Sequence, residues 1–102
     1  MALKNIFTGA VRGTENLIAS GYCRLMSLTL FNNGTGSMDV KFRIGPSYAE
    51  SQLIMETSVS AQEREHVLVE GEKLTVANGQ NLYLDSDVDD EDLNVCAGGI
   101  AE

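Results

Sequence analysis

Residues 22–44 limit what this chain can fold into more than any other stretch: two β-prone runs flank a short glycine-rich segment. Tyr22 to Asn32 reads as one strand and Met38 to Ile44 as the next, with Asn33-Gly34-Thr35-Gly36-Ser37 closing them into a β-hairpin. In the second run Met38, Val40, Phe42 and Ile44 point one way and Asp39, Lys41 and Arg43 the other. That period of two marks a half-buried strand. Asn33-Gly34 offers the positive φ of a tight hairpin turn, and Gly45-Pro46 ends the second run because proline has no N–H to give a ladder. In the first run Met26, Leu28 and Leu30 make an apolar face. Cys23, Leu25, Ser27, Thr29 and Phe31 make a mixed face suited to another subunit, so Leu25 and Phe31 are candidate partner-binding residues.

The rest of the chain repeats this style. Short β-prone runs at 16–19, 52–60, 63–70, 72–76 and 81–84 are separated by turn signals such as Gly21, Ala61-Gln62 and Asn78-Gly79. Leu93, Val95 and Cys96 make a last strand, after which Gly98-Gly99 loosens the tail. Seven or eight short strands at regular spacing predict an all-β fold, a single small antiparallel β-sandwich, with jelly-roll-like and immunoglobulin-like orders fitting equally well. Residues 1–14 lack clear periodicity and are interrupted by Gly9 and Gly13. They read as an N-terminal arm that presents Leu3, Ile6 and Phe7 to a partner, leaving residues 15–102 as the sandwich domain. A first strand or a frayed end is the alternative for that segment.

At 102 residues the chain is one domain by size, and 43% hydrophobic content is enough for a real core. The formal net charge of −8 and the scattered positions of the seven bases argue against a nucleic-acid surface. No run approaches the ~18 apolar residues that span a membrane. The N-terminal residues are too polar for a secretory leader, so a cytoplasmic place of synthesis and assembly is expected.

Catalytic chemistry finds little support. His66 is the only histidine, and no spacing sets a nucleophile and an orienting acid beside it. No nucleophile elbow, phosphate-binding glycine loop or zinc-protease motif occurs, so neither an enzyme nor a cofactor is expected. Residues 85–92 hold six carboxylates in eight positions. Asp85, Asp87 and Asp89 match the opening spacing of a Ca²⁺ loop, but the sixth position is Asp90 where glycine belongs, and the twelfth is Cys96 where glutamate belongs. A solvated acidic turn is the plainer reading. Cys23 and Cys96 have 72 residues between them. They fit buried small hydrophobes, a bridge to each other, or bridges between subunits.

From Cys23 onward the pattern resembles the small β-sandwich structural proteins of tailed bacteriophages, including capsid decoration (cement) proteins. The resemblance lies in the runs 25–33 and 38–44, then Gly71-Glu72-Lys73-Leu74-Thr75-Val76 and Asn78-Gly79-Gln80-Asn81-Leu82-Tyr83-Leu84. It implies a virion component on the capsid exterior, present in many copies, that binds the major capsid protein and copies of itself. A tail, connector or fibre-attached domain and a glycan-binding module are the competing roles.

Overall fold

The computed structural model describes residues 3–49, 52–68, 73–88 and 93–101. Nine strands occur among them: β1 (Leu3–Val11), β2 (Asn16–Ser20), β3 (Cys23–Asn32), β4 (Met38–Gly45), β5 (Leu53–Val59), β6 (Arg64–Leu68), β7 (Leu74–Val76), β8 (Asn81–Ser86) and β9 (Leu93–Ala101). They form two antiparallel sheets packed as a sandwich. One sheet has the order β1-β9-β3-β6, with β7 also pairing β3; the other has the order β2-β8-β4-β5. We call them the β9 sheet and the β8 sheet.

The pairs β1·β9, β2·β8, β3·β6/β7 and β4·β5 describe one long two-stranded ribbon, folded over so that β9 also meets β3 and β8 also meets β4. That is the jelly-roll order. An immunoglobulin-like sandwich would place its first two strands side by side in one sheet, whereas β1 and β2 lie in different sheets.

Two expectations are corrected here. The expected hairpin over 22–44 has both its strands, but they do not pair. β3 is flanked by β9 and by β6/β7, and β4 by β8 and β5, so 33–37 is a crossing between sheets. Among the described residues the left-handed glycines are Gly13, Gly21 and Gly79, not Gly34. The hairpin that does form is β4–β5, around the loop that begins at Pro46. The second correction concerns the arm: residues 3–11 are β1, paired with β9 from Leu3↔Ile100 to Val11↔Leu93. Gly9 does not break this strand; it sits within it opposite Val95. The sandwich therefore begins at β1 and not at residue 15.

The core fills the space between the sheets with Leu25, Leu28, Leu30, Met38, Phe42, Leu82, Leu84 and Leu93, all fully buried or nearly so. Each such side chain stabilises the fold by roughly 1.5–3 kcal/mol. The facing of β3 differs from simple alternation. A bulge between Leu25 and Ser27 shifts the register with β9, so Cys23 and Leu25 point inward, Met26 and Ser27 are both exposed, and Leu28 and Leu30 point inward again. The same bulge explains Gly98-Gly99, which does not loosen a tail but lies in β9, a central strand. A Cβ at Gly99 would overlap the Arg24 carbonyl oxygen, so the close approach of the two backbones requires glycine there.

The β3-to-β4 crossing is fastened by Asn32, which is fully buried. Its amide donates to the Gly36 and Val59 carbonyls at 2.8 and 3.0 Å, and its side-chain oxygen accepts from the Gly34 N–H at 2.8 Å. Its backbone ties in the β5–β6 turn, through Asn32 N–H to Glu63 O and Gln62 N–H to Asn32 O.

Candidate functional site

The densest polar cluster among the described residues lies on the outer face of the β8 sheet. Alternation along β8 turns Leu82 and Leu84 inward and leaves Tyr83 and Asp85 on the outer face. Alternation along β4 likewise puts Lys41 and Arg43 outside, with Lys41 opposite Asp85 and Arg43 opposite Tyr83. Asp85 and Arg43 are nonetheless buried, because Tyr48 from the β4–β5 loop and residues 14–15 from the β1–β2 crossing fold over them.

The Asp85 carboxylate collects three donors. Its Oδ2 accepts from Arg43 Nε at 2.8 Å and from the Tyr48 hydroxyl at 2.7 Å. Its Oδ1 accepts from the Glu15 backbone N–H at 2.9 Å. Glu15 holds a left-handed φ of 60° to present that N–H. The Arg43 guanidinium carbon lies 5.6 Å from the centre of the Tyr48 ring, and Tyr48 meets Tyr83 edge-on at 5.6 Å. Asn16 adds amide hydrogen bonds to the carbonyls of Arg12, Gly13 and Leu84, so the β1–β2 crossing is sewn to β8 at several points.

Burial pushes the Asp85 carboxyl up. The Arg43 hydrogen bond, the Glu15 N–H, the Tyr48 hydroxyl and the Arg43 charge together outweigh it and hold the group below the usual carboxylate range. The same hydrogen bond to Asp85, followed by burial, raises the Tyr48 phenol. A fully hydrogen-bonded, ion-paired carboxylate is a poor general base. The arrangement acts as a clamp that joins β4, β8, the β1–β2 crossing and the β4–β5 loop.

Beside the clamp runs an open groove of about 270 Å³ whose lining includes Thr14, Asp39, Lys41, Glu56, Ser86 and Asp87. Of the three aspartates in the candidate Ca²⁺ spacing, Asp85 is committed to the clamp and belongs to β8, not to a solvated acidic turn. Asp87 accepts the Asp39 N–H at 3.0 Å, and Asp89 lies outside the described residues. No group of three or more metal-ligating side chains gathers among the described residues.

The candidate partner contacts scatter. Leu25 is fully buried and cannot meet a partner, since the β3 bulge reverses the facing expected for it. Ile6 and Phe7 pack against the core, and Leu3 pairs with Ile100. Phe31 is half-buried on the outer face of the β9 sheet, in a shallow dent with Thr8, Gly9, Thr29 and Cys96. Cys96 is exposed there while Cys23 is buried between the sheets, and both are free thiols, so no bridge joins them. Burial raises the Cys23 thiol. His66 sits exposed on β6 with its Nδ1 3.1 Å from the Thr29 hydroxyl.

Sequence reasoning missed the joining of Arg43, Tyr48 and Asp85. The available signals were a single large side chain in the loop after Pro46 and an arginine at the end of an alternating strand. It also missed Leu53 and Ile54, exposed at 44% and 45% on β5. No protein-family model matches the chain, and neither curated proteins nor solved structures provide a match. Fold and residues alone therefore define the class: a jelly-roll β-sandwich with an ion-pair clamp on one outer face.

Proposed function

We propose that this chain is a non-enzymatic structural protein of a virion, of the capsid-decoration type that its strand pattern resembles. In this role it binds the outer shell and stabilises contacts between major capsid subunits. The observation that supports the reading is the jelly-roll order, an architecture used by viral capsid domains as well as by lectins and cupins. That support is analogy of fold and strand pattern. The residues are compatible with a scaffold. The carboxylate best placed for chemistry is spent on holding loops in place, and a cement protein needs rigidity more than a catalytic pocket.

Quantitative mass spectrometry of purified particles tests the proposal by counting this chain against the major shell protein. Hundreds of copies per particle is the expected result. A few copies would move the chain to a tail, connector or fibre. Absence from particles would overturn the virion reading.

A further inference from the structure

The two outer faces of the sandwich carry different charges. On the β8 sheet the groove beside the clamp is lined by Asp39, Glu56, Asp85 and Asp87, with Lys41 and Arg43 among them. On the β9 sheet the pattern reverses. β1, β3, β7 and β9 contain no aspartate or glutamate, in a chain with 15 acids among 102 residues. The one carboxylate within the sheet's five strands, Glu65 on β6, lies opposite Leu30, whose side chain is turned into the core.

The cations of this sheet do face outward. Arg24 is exposed between the inward-facing Cys23 and Leu25, and Arg64 is exposed opposite Phe31. Among the described residues Arg43 and Asp85 form the one ion pair, so neither arginine of the β9 face is committed to a carboxylate. Met26, 38% exposed, and the half-buried Phe31 supply large apolar groups near the two ends of β3. Small uncharged residues such as Ser27, Thr29 and Gly98 leave two shallow dents beside them. Arginine, methionine and aromatic groups are enriched where protein surfaces meet, and aspartate and glutamate are depleted there. On a chain of net charge −8, a carboxylate-free face with two arginines attracts an acidic surface while the rest of the molecule repels it. That asymmetry sets the orientation of approach.

We propose that the outer face of the β9 sheet is a docking surface for a partner protein that presents carboxylates to it. Arg24 and Arg64 pair with those carboxylates, and Met26 and Phe31 bury against the partner. Naming the capsid shell as that partner rests on the virion reading; the face and the chemistry that fits it do not.

Two arms test the proposal. In the first, the full chain is titrated with poly-L-glutamate at low salt and followed by NMR. Shifts are expected on the outer face of the β9 sheet, and added salt should remove them. Arg24→Glu and Arg64→Glu should each weaken binding. Arg12→Glu, on the β1–β2 crossing, makes the same change in net charge off the face and should weaken it less. Shifts centred elsewhere, no binding, or equal losses in all three variants would overturn the proposal. In the second arm the exposed Cys96, which lies on this face, reports its coverage. On shells stripped of this chain, the wild type is expected to attach and Cys96 to lose its reactivity towards a maleimide. A bulky maleimide attached to Cys96 beforehand should block attachment. Attachment with Cys96 still reactive overturns the docking face and leaves the virion reading standing. Failure to attach, with the first arm as expected, removes the shell as partner and leaves the face standing. Cys96 protection that arises in the free protein as its concentration rises would make the occupant a second copy, contrary to the proposal.

Discussion

At the β3-to-β4 crossing the fastener is Asn32, a neutral amide bonded wholly to backbone. At the β1-to-β2 crossing it is Asp85, a charged group bonded to a backbone N–H, a phenol and a guanidinium. Both residues are buried and both make three hydrogen bonds. The difference lies in desolvation and in pH. An amide has a modest burial cost and no proton to exchange. A carboxylate is expensive to bury and is repaid only while its partners remain. The comparison shows how one fold can fasten equivalent crossings with chemistries that respond differently to solution conditions.

The sharpest way to break the comparison is to remove each fastener. Asp85→Ala leaves the Arg43 guanidinium buried without its carboxylate and is expected to cost about 3–5 kcal/mol in chemical denaturation. Asn32→Ala orphans the Gly34 N–H and two carbonyls but leaves no charge behind, so about 2–3 kcal/mol is expected. If Asn32→Ala proves the costlier of the two, the ion pair contributes less than its burial suggests.

The pH profile separates the two further. The folded-state pKa of Asp85 is depressed. Its contribution is therefore present above the ordinary carboxylate value of about 3.9 and is lost as pH falls through the lower folded value. The Tyr48 pKa is raised, so its contribution is present below the usual phenol value of about 10 and is lost as pH rises through the folded value. Stability measured against pH should show both limbs in the wild type and in Asn32→Ala. The acid limb should be shallower in Asp85→Asn. Equal acid limbs in wild type and Asp85→Asn would remove the carboxylate from the account. The smallest expected effect is Tyr48→Phe, which removes one of the three donors and should cost about 1 kcal/mol, abolishing the alkaline limb and also making the acid limb shallower, because the Tyr48 hydroxyl is one of the groups that depress Asp85.

The all-β class and eight of the nine strands were legible because alternation and turn residues are local signals. Met38, Val40 and Phe42 face the core as their spacing requires. What failed was pairing. Asn33-Gly34 has the composition of a hairpin turn, but whether two successive strands pair depends on which other strands compete for their edges, and β9 and β6 lie far away in sequence. The facing of Leu25 failed for a related reason: a bulge is fixed by the partner strand, here by the close approach at Gly99. β1 was read as an arm, with a first strand only as the alternative, because Gly9 within it and Gly13 just after it obscured a strand that is held by β9 from the far end of the chain. The clamp was hidden in an acidic run. Asp85 belongs to β8 and Asp87 lies beyond its end, but nothing in the run marks where that strand stops.

The pairing of β1 with β9, and of β9 with β3, also bears on when this molecule can fold. On the ribosome, β1 and β3 emerge long before β9, the strand that must lie between them. Until it arrives, the inner faces of Leu25, Leu28 and Leu30 have no completed sheet to belong to. Contacts in the finished molecule join mostly residues distant in sequence, the condition under which folding is slow, of order milliseconds to seconds for all-β domains. The nascent chain thus passes through a period with core strands uncovered, and its yield in the cell should depend on what shields them until β9 is made.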